Sequence, residues 1–459
     1  MSTRGAHHAH VSSASLETTR HSTTPDQRPS LADVTVGSKS SQQTLSNAAP
    51  GGTFDSVDDG DAGGGGPRMD GGITAWVQVF VSFLMAMNSF GYVSSFGLFQ
   101  SHWETSLGNK SSLDISWVGS LSLFLIYFLG SVSGPLMDAG YFRLMVVVGC
   151  ACQILGAFAT SAVAQYWQLI LAQGVVQGFG NGLLFTPCIA LVSTYFAKRR
   201  GLALALTACG APVGGIVFPV IARQVAPKTG YPWTIRTMGF VLLFNSVLII
   251  SLARPRSFAR KGPLINLRAF RDAVYSLFAV GIFFTLLGLY IAYFYVSTYG
   301  KKMVHIGDAE SLTLLIILNC GGIPGRIIPA YLADRYFGVF NTLLPFLLGT
   351  AVLLFGWVGI RDHGSYYAFA VLYGIFANAV QTLFPTTLTQ LSTDMSQVGA
   401  RVGMVFTLAS IACLIGPPVA GRLIDLAGGT YLYAQLFAGV AVSIGFLFLS
   451  LSRWCYRMA

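Results

Sequence analysis

GSVSGPLMDAGYFR, Gly130 to Arg143, closes one long apolar stretch, and RIIPAYLADRYFG, Arg326 to Gly338, closes another about 196 positions further on. That shift sets Asp138 on Asp334. Asn181 and Asn378 then fall at corresponding places, and Arg200 and Arg401 precede corresponding stretches. Several matches in register predict an internal repeat: two six-helix halves related by pseudo-symmetry, with a site between them near mid-depth.

Outward from these two stretches, apolar segments of about 20 residues alternate with short polar breaks, the length a helix needs to cross a hydrocarbon core. Twelve are expected: 73–100, 115–137, 144–164, 167–191, 201–226, 233–253, 273–299, 310–333, 340–360, 365–390, 402–423 and 431–452. Only helices satisfy their own backbone over such lengths in lipid, so the fold class is an all-α membrane protein of twelve transmembrane helices. Composition agrees: 53% of the residues are hydrophobic and 10% charged, and mean hydropathy is +0.61, whereas a soluble globule carries about 25% charge. The net charge of +10 collects at segment ends and leaves no basic face for nucleic acid. None of the seven cysteines forms a metal-type pair, and no cofactor or metal is expected.

Residues 1–68, rich in Ser, Thr, Gly and Asp, bury too little to repay the entropy of folding and are read as a disordered cytosolic tail. The halves are then 69–253 and 273–459, joined by the basic connector 254–272, a solvated loop touching anionic headgroups. With the N-terminus inside, fifteen Lys and Arg fall on the inner side against eight outside, the distant tail apart, so both termini are placed in the cytosol. The expected location is the plasma membrane, with the vacuolar membrane as the alternative.

Among 28 basic and 18 acidic residues, only Arg326 lies deep inside an apolar segment. Burying a guanidinium there costs at least about 2.5–3.5 kcal/mol, so such a residue is a functional-site candidate by default. The competing reading is an Arg snorkelling toward the inner face, where Asp334 ends the same helix. Neutral polar and aromatic residues on the neighbouring segments complete the candidate substrate site: Asn88, Tyr92, Asn181, Tyr293, Asn378 and, two turns before Arg326, Asn319, with Gln177, Tyr290 and Gln381 beside them. No Asp, Glu, His or Lys lies in the middle of a span, so no side chain is available as a proton relay at depth. A proton can still travel on the substrate's own carboxyl group, and facilitated diffusion, exchange and symport stay open.

Gly134 to Arg143 resembles the loop motif of the major facilitator superfamily: Gly134 permits close helix approach, Asp138 meets a neighbouring helix N-terminus, and Arg143 supplies a countercharge for gating. Asp334 and Arg335 repeat the pattern. Two further stretches, Asp70-Gly71-Gly72-Ile73-Thr74-Ala75-Trp76 and YFAKRRGLALALTACGAPVGG (Tyr195 to Gly215, with the triplet Lys198, Arg199 and Arg200), resemble the paired signatures of the monocarboxylate porter family, in its fungal branch. Ala205, Thr207 and Cys209 depart from the small residues usual there, and an extra residue precedes Trp76. The resemblance implies that Arg326, in NCGGIPGRIIP, pairs with a substrate carboxylate. Animal proton-coupled members also carry an Asp four residues earlier and a Lys in the first helix; here Gly322 and the run Gly91 to Ser95 stand in those places.

The expectation is a secondary transporter for a small organic anion of monocarboxylate type, working by alternating access and not an enzyme. Its alternatives are an efflux pump for a fungal secondary metabolite, a riboflavin-like vitamin uptake carrier and, in a different class, a transporter-like nutrient sensor. Its partners are a small, anionic molecule and the lipid bilayer, with no nucleic acid.

The charge asymmetry makes a direct prediction about sidedness. A cysteine replacing Asn109, in the first outer loop, reacts with an impermeant maleimide on intact cells, whereas one replacing Ser257 reacts only after permeabilisation. The reverse pattern would place both termini outside.

Overall fold

The computed structural model describes residues 71–107, 110–196, 199–255, 267–391 and 398–458. The tail, Asp70, Asn109, Lys198 and Ser257 lie outside the described residues, as do the side chains of Asp138 and Arg200. Among the described residues there is no strand, and twelve helices are long and apolar enough to cross a membrane. They are α1 (Ile73–Ser94), α2 (Ser112–Gly134), α3 (Phe142–Thr160), α4 (Tyr166–Ser193), α5 (Gly201–Thr229), α6 (Tyr231–Leu252), α7 (Ala273–Met303), α8 (Asp308–Phe337), α9 (Val339–Gly359), α10 (His363–Gln390), α11 (Gly399–Leu426) and α12 (Leu432–Met458). An even number of crossings returns the chain to its starting side, so the bundle has a terminal end and a far end.

Helices α1 to α6 pack mainly on one another, as do α7 to α12, and contacts between the two sets run along α2 with α11, α5 with α8, and the far end of α1 with α7. The first helix is less regular than a 73–100 span suggests. It carries a π-helical turn at Met87–Gly91 and bends at Ser95 (φ −88°, ψ 5°), whose Oγ donates to the Gly91 carbonyl at 3.0 Å, before continuing as Phe96–Ser106. Further π-helical turns occupy Ile170–Val176 in α4 and Ala333–Phe337 at the end of α8. Such turns displace one backbone bond and re-aim the side chains around them.

Without a hydrophobic force between helices in lipid, close backbone approach across small residues holds the bundle together. Gly91 of α1 faces Gly214 of α5, where a Cβ would lie 2.6 Å from the opposing Cα. One turn earlier, Gly210 lies against the Phe83 carbonyl. Gly178 of α4 fits on Ser122 of α2 and Gly180 on the Gly149 backbone of α3.

One expectation needs correcting here. A Cβ on Gly134 would meet only the Thr186 methyl, at 3.9 Å, so that glycine is not the point of close approach. The close approach of α2 to α4 lies two to three turns earlier, where Gly178 and Gly182 of α4 fit on Ser122 and on the Leu125 carbonyl, while Gly130 meets only the Phe185 ring.

Gly214→Ala therefore overpacks α1 against α5 and is expected to cost about 1–3 kcal/mol, seen as a lower thermal midpoint in detergent. Gly134→Ala has room for its methyl and leaves the midpoint unlowered.

Candidate functional site

Helix α8 carries Gly321 and Gly325, four residues apart on one face. A Cβ at Gly321 would lie 2.5 Å from the Val371 carbonyl of α10, Gly325 lies on the Ile375 backbone, and Gly374 of α10 lies on the Leu318 carbonyl in return. Two backbones in this proximity place Asn378, one turn after Gly374, beside Arg326, one residue after Gly325. Arg326 is 7% exposed. Its Nε donates to Asn378 Oδ1 at 3.0 Å and its Nη1 to Thr382 Oγ1 at 3.4 Å; neither bond uses Nη2. The guanidinium is thus turned into α10, and the snorkelling geometry is not adopted.

From Asn378 the hydrogen bonds run on through α7 to the other set of helices. Asn378 Nδ2 donates to the Tyr293 hydroxyl at 2.8 Å, and Gln381 Nε2 donates to the same oxygen at 3.3 Å. With both lone pairs so engaged, Tyr293 has its proton left to donate. The Tyr290 hydroxyl donates to Gln381 Oε1 at 3.3 Å and lies 3.0 Å from the Tyr127 hydroxyl of α2. The chain from Arg326 to Tyr127 therefore contains one cation, two amides and three phenols, and no acid.

The structure also accounts for the absent carboxylate. A Cβ on Gly322 would lie 2.6 Å from Asn378 Nδ2 and 3.0 Å from Pro212 Cβ of α5, so a side chain there would have to displace the amide that holds Arg326.

Three expected site residues make contacts within the first six helices, each with a buried polar atom left without a hydrogen-bond partner: Asn88 Nδ2, Asn181 Nδ2 and the Tyr92 hydroxyl. Asn88 accepts from Asn245 Nδ2 of α6 at 2.8 Å, and Asn181 accepts from Gln153 Nε2 of α3 at 2.7 Å, the same nitrogen also reaching Ser89 Oγ at 3.0 Å. Both tie helices within the first six. The Tyr92 ring is stacked on Phe99 with centroids 4.8 Å apart and edge-on to Phe218 at 5.3 Å, within the same set of helices. Asn319 donates to the Leu315 carbonyl at 2.8 Å and packs its amide on Gly215 of α5, between the two sets.

Contacts between helices also cluster toward the two ends of the bundle. Toward the terminal end, Tyr127, Phe185, Phe384 and Phe406 from α2, α4, α10 and α11 meet ring to ring. Beyond them the Asp334 carboxylate lies against Gly201, the first residue of α5, where helix-dipole electrostatics favour a negative charge. Arg143, Arg199 and Arg335 are exposed at that end. Arg401 pairs with Asp272 at 3.6 Å, and its carbonyl accepts from the Tyr275 hydroxyl at 2.8 Å, joining the starts of α7 and α11.

The far end is held by a residue outside the expected site, Glu104. Its carboxylate accepts from Gln100 Nε2 at 2.7 Å, Ser112 Oγ at 2.8 Å and Lys302 Nζ at 3.1 Å, linking the continuation of α1 to the start of α2 and the end of α7. Nearby, Phe96 meets Phe294 at 4.6 Å between centroids, and Leu113 N donates to Asp425 Oδ2 at 3.4 Å. His102 stacks on Tyr231 with centroids 3.2 Å apart, and burial together with the Lys301 ammonium pushes its imidazole down to about 4, so the ring is neutral there. In the sequence Glu104 reads as one more loop charge past a span ending at residue 100. The fold makes it the meeting point of three helices.

Comparison with known proteins gives the setting for this arrangement. The profile of the Major Facilitator Superfamily matches residues 79–399. An MFS-type transporter of Gibberella zeae is 38% identical over 386 residues, 83% of this chain and 87% of that protein. An aspyridones efflux protein of Emericella nidulans is 30% identical over 83% of this chain and 77% of its own length. An agnestins efflux protein of Paecilomyces divaricatus is 31% identical over 81% of this chain and 86% of its own.

Hydrogen bonds to an ionised group contribute about 1.5–3 kcal/mol when well enclosed, so Glu104→Gln or Lys302→Met weakens far-end closure. The expected result is faster thiol labelling of a cysteine placed at Trp103, with partial restoration in the exchanged pair Glu104→Lys with Lys302→Glu. Unchanged labelling in both single variants would remove Glu104 from the closure.

Proposed function

Since the chain belongs to the Major Facilitator Superfamily and is a membrane transporter of that type, we propose that it carries a small organic anion by alternating access, with Arg326 holding the anion. One observation carries this reading. Arg326 is buried at membrane depth with hydrogen-bond partners that are all neutral, so its charge is balanced by no acid among them. A carboxylate arriving there exchanges two neutral acceptors for a charge-assisted pair, the arrangement a guanidinium fork suits best. Asn378 fixes the guanidinium, and Tyr293 offers its hydroxyl proton to the same anion. Asn319 lines the α5 side, while Asn88, Asn181 and Tyr92 hold the first six helices together.

The likeness to monocarboxylate porters supports an anionic cargo. The names of the efflux relatives support export of a metabolite as the direction. We place the termini in the cytosol and the protein in the plasma membrane on the fifteen-to-eight distribution of cations. In that orientation Asp334 and its counterpart Asp138, with Arg143, Lys198, Arg199, Arg200 and Arg335, form the inner gate, and Glu104 with Lys302 closes the outer side. The two halves, 69–253 and 273–459, rock about the site through the connector between them.

Reconstituted protein tested against labelled organic acids and neutral counterparts decides the matter. Arg326→Ala is expected to lower kcat/KM for anions roughly tenfold to a hundredfold, the loss of one or two ionic hydrogen bonds, with insertion and thermal midpoint retained. Arg326→Lys restores only a small part, because an ammonium lacks the bidentate fork. Parental rates for anions in Arg326→Ala would overturn the assignment.

A further inference from the structure

We propose that the anion is a flat, conjugated ring acid bearing a hydroxyl or carbonyl oxygen, and that Tyr127, Phe185, Phe384 and Phe406 form the ring-binding part of the site. The proposal rests on Arg326 as the anion-binding group and adds the class of molecule attached to that anion.

Tyr127 is the residue on which two systems meet. Its hydroxyl ends the hydrogen-bonded chain that begins at Arg326, through Tyr290 at 3.0 Å. Its ring lies 5.9 Å from Phe185, 6.4 Å from Phe384 and 5.8 Å from Phe406, centroid to centroid. Phe406 in turn lies 5.2 Å from Phe185 and 6.0 Å from Phe384. The contacts are edge-to-face or tilted, with interplanar angles of 47° to 71°.

Rings so arranged present both edges and faces, and an incoming aromatic ring gains quadrupole contacts from them that an aliphatic ring of equal area does not. Two of the four rings belong to α2 and α4 and two to α10 and α11, so a ring inserted among them touches both sets of helices at once. The polar groups adjoining the rings are the paired phenols Tyr127 and Tyr290. Because Tyr290 donates to Gln381, Tyr127 is the donor of the pair, and a ligand oxygen can enter it by accepting from Tyr127, a ligand hydroxyl also donating on to Tyr290. Arg326 is the single cation of the chain, which suits one anionic group and not two. Together these features select a ring, one acid and one further oxygen.

The test uses the purified full-length protein and binding titrations with benzoate, its three hydroxy derivatives and cyclohexanecarboxylate, acids of like size and equal charge. The expected result is that benzoate binds about tenfold tighter than cyclohexanecarboxylate, and that at least one hydroxybenzoate binds tighter still. Tyr127→Phe, which keeps the ring and removes the hydroxyl, is expected to bring the ratio of hydroxybenzoate to benzoate affinity toward one, and an unchanged ratio would remove the hydroxyl from the site; Tyr290→Phe is the second variant should the first fail to fold. Phe406→Leu narrows the difference between benzoate and cyclohexanecarboxylate. If all five acids bind alike but lose affinity in Arg326→Ala, the anion site stands and the ring-binding proposal falls. If none binds in an Arg326-dependent way, both fall.

Discussion

A guanidinium at membrane depth is costly unless its N–H groups meet protein, a ligand or water in a cavity. Much of this structure follows from how Arg326 meets that demand. The acceptors are the Asn378 amide and the Thr382 hydroxyl, both on α10. A short amide reaches the guanidinium only because α8 and α10 touch backbone to backbone across Gly321, Gly325 and Gly374. With the same closeness, a side chain at Gly322 would have to displace that amide. Positive charge held by neutral dipoles remains available to an anion, whereas a neighbouring carboxylate would have neutralised it.

Enclosure raises the strength of that charge. Coulomb interactions grow as the surroundings become less polar, and Arg326 is buried in the bundle. Among the described residues, Glu104 pairs with Lys302 and Lys301 with Asp308 at the far end, and Asp272 with Arg401 at the terminal end. Charges at the ends can exchange partners with water as the bundle opens, and so are suited to closures that must break and re-form. The π-helical turn at Met87–Gly91 and the bend at Ser95 mark where α1 departs from a straight rod on its way to Glu104.

The candidate site was partly legible in the residues themselves. Arg326 stood out because a buried charge is rare and costly in any lipid-depth helix. Asn378 and Tyr293 were readable only as members of a larger set, since an amide or phenol on a membrane helix can serve a ligand or a neighbouring helix equally well. Asn88 and Asn378 look alike in sequence, yet one bonds Asn245 within the first six helices and the other bonds Arg326. What separates them is rotation about the helix axis and the identity of the facing helix, and neither is encoded locally. Tyr127 and Glu104 lay outside the expected set for the same reason. Tyr127 reads as one more apolar-face aromatic until Tyr290 of a distant helix meets its hydroxyl, and Glu104 as a loop charge until Ser112 and Lys302 converge on it.

The sequence by itself determined the number of crossings and the all-helical class, and it singled out Arg326 as the one charge deep in an apolar segment. Each follows from a penalty levied residue by residue: unsatisfied backbone or unpaired charge in hydrocarbon is unfavourable wherever the chain places it. Only the tertiary structure decided which amides face Arg326, where the glycines bring helices into contact, and which carboxylate joins the far end. Those depend on pairs of residues tens or hundreds of positions apart, Glu104 with Lys302 and Tyr127 with Tyr290 among them. Their meeting is set by how whole helices rotate and pack, a property that no local run of sequence carries.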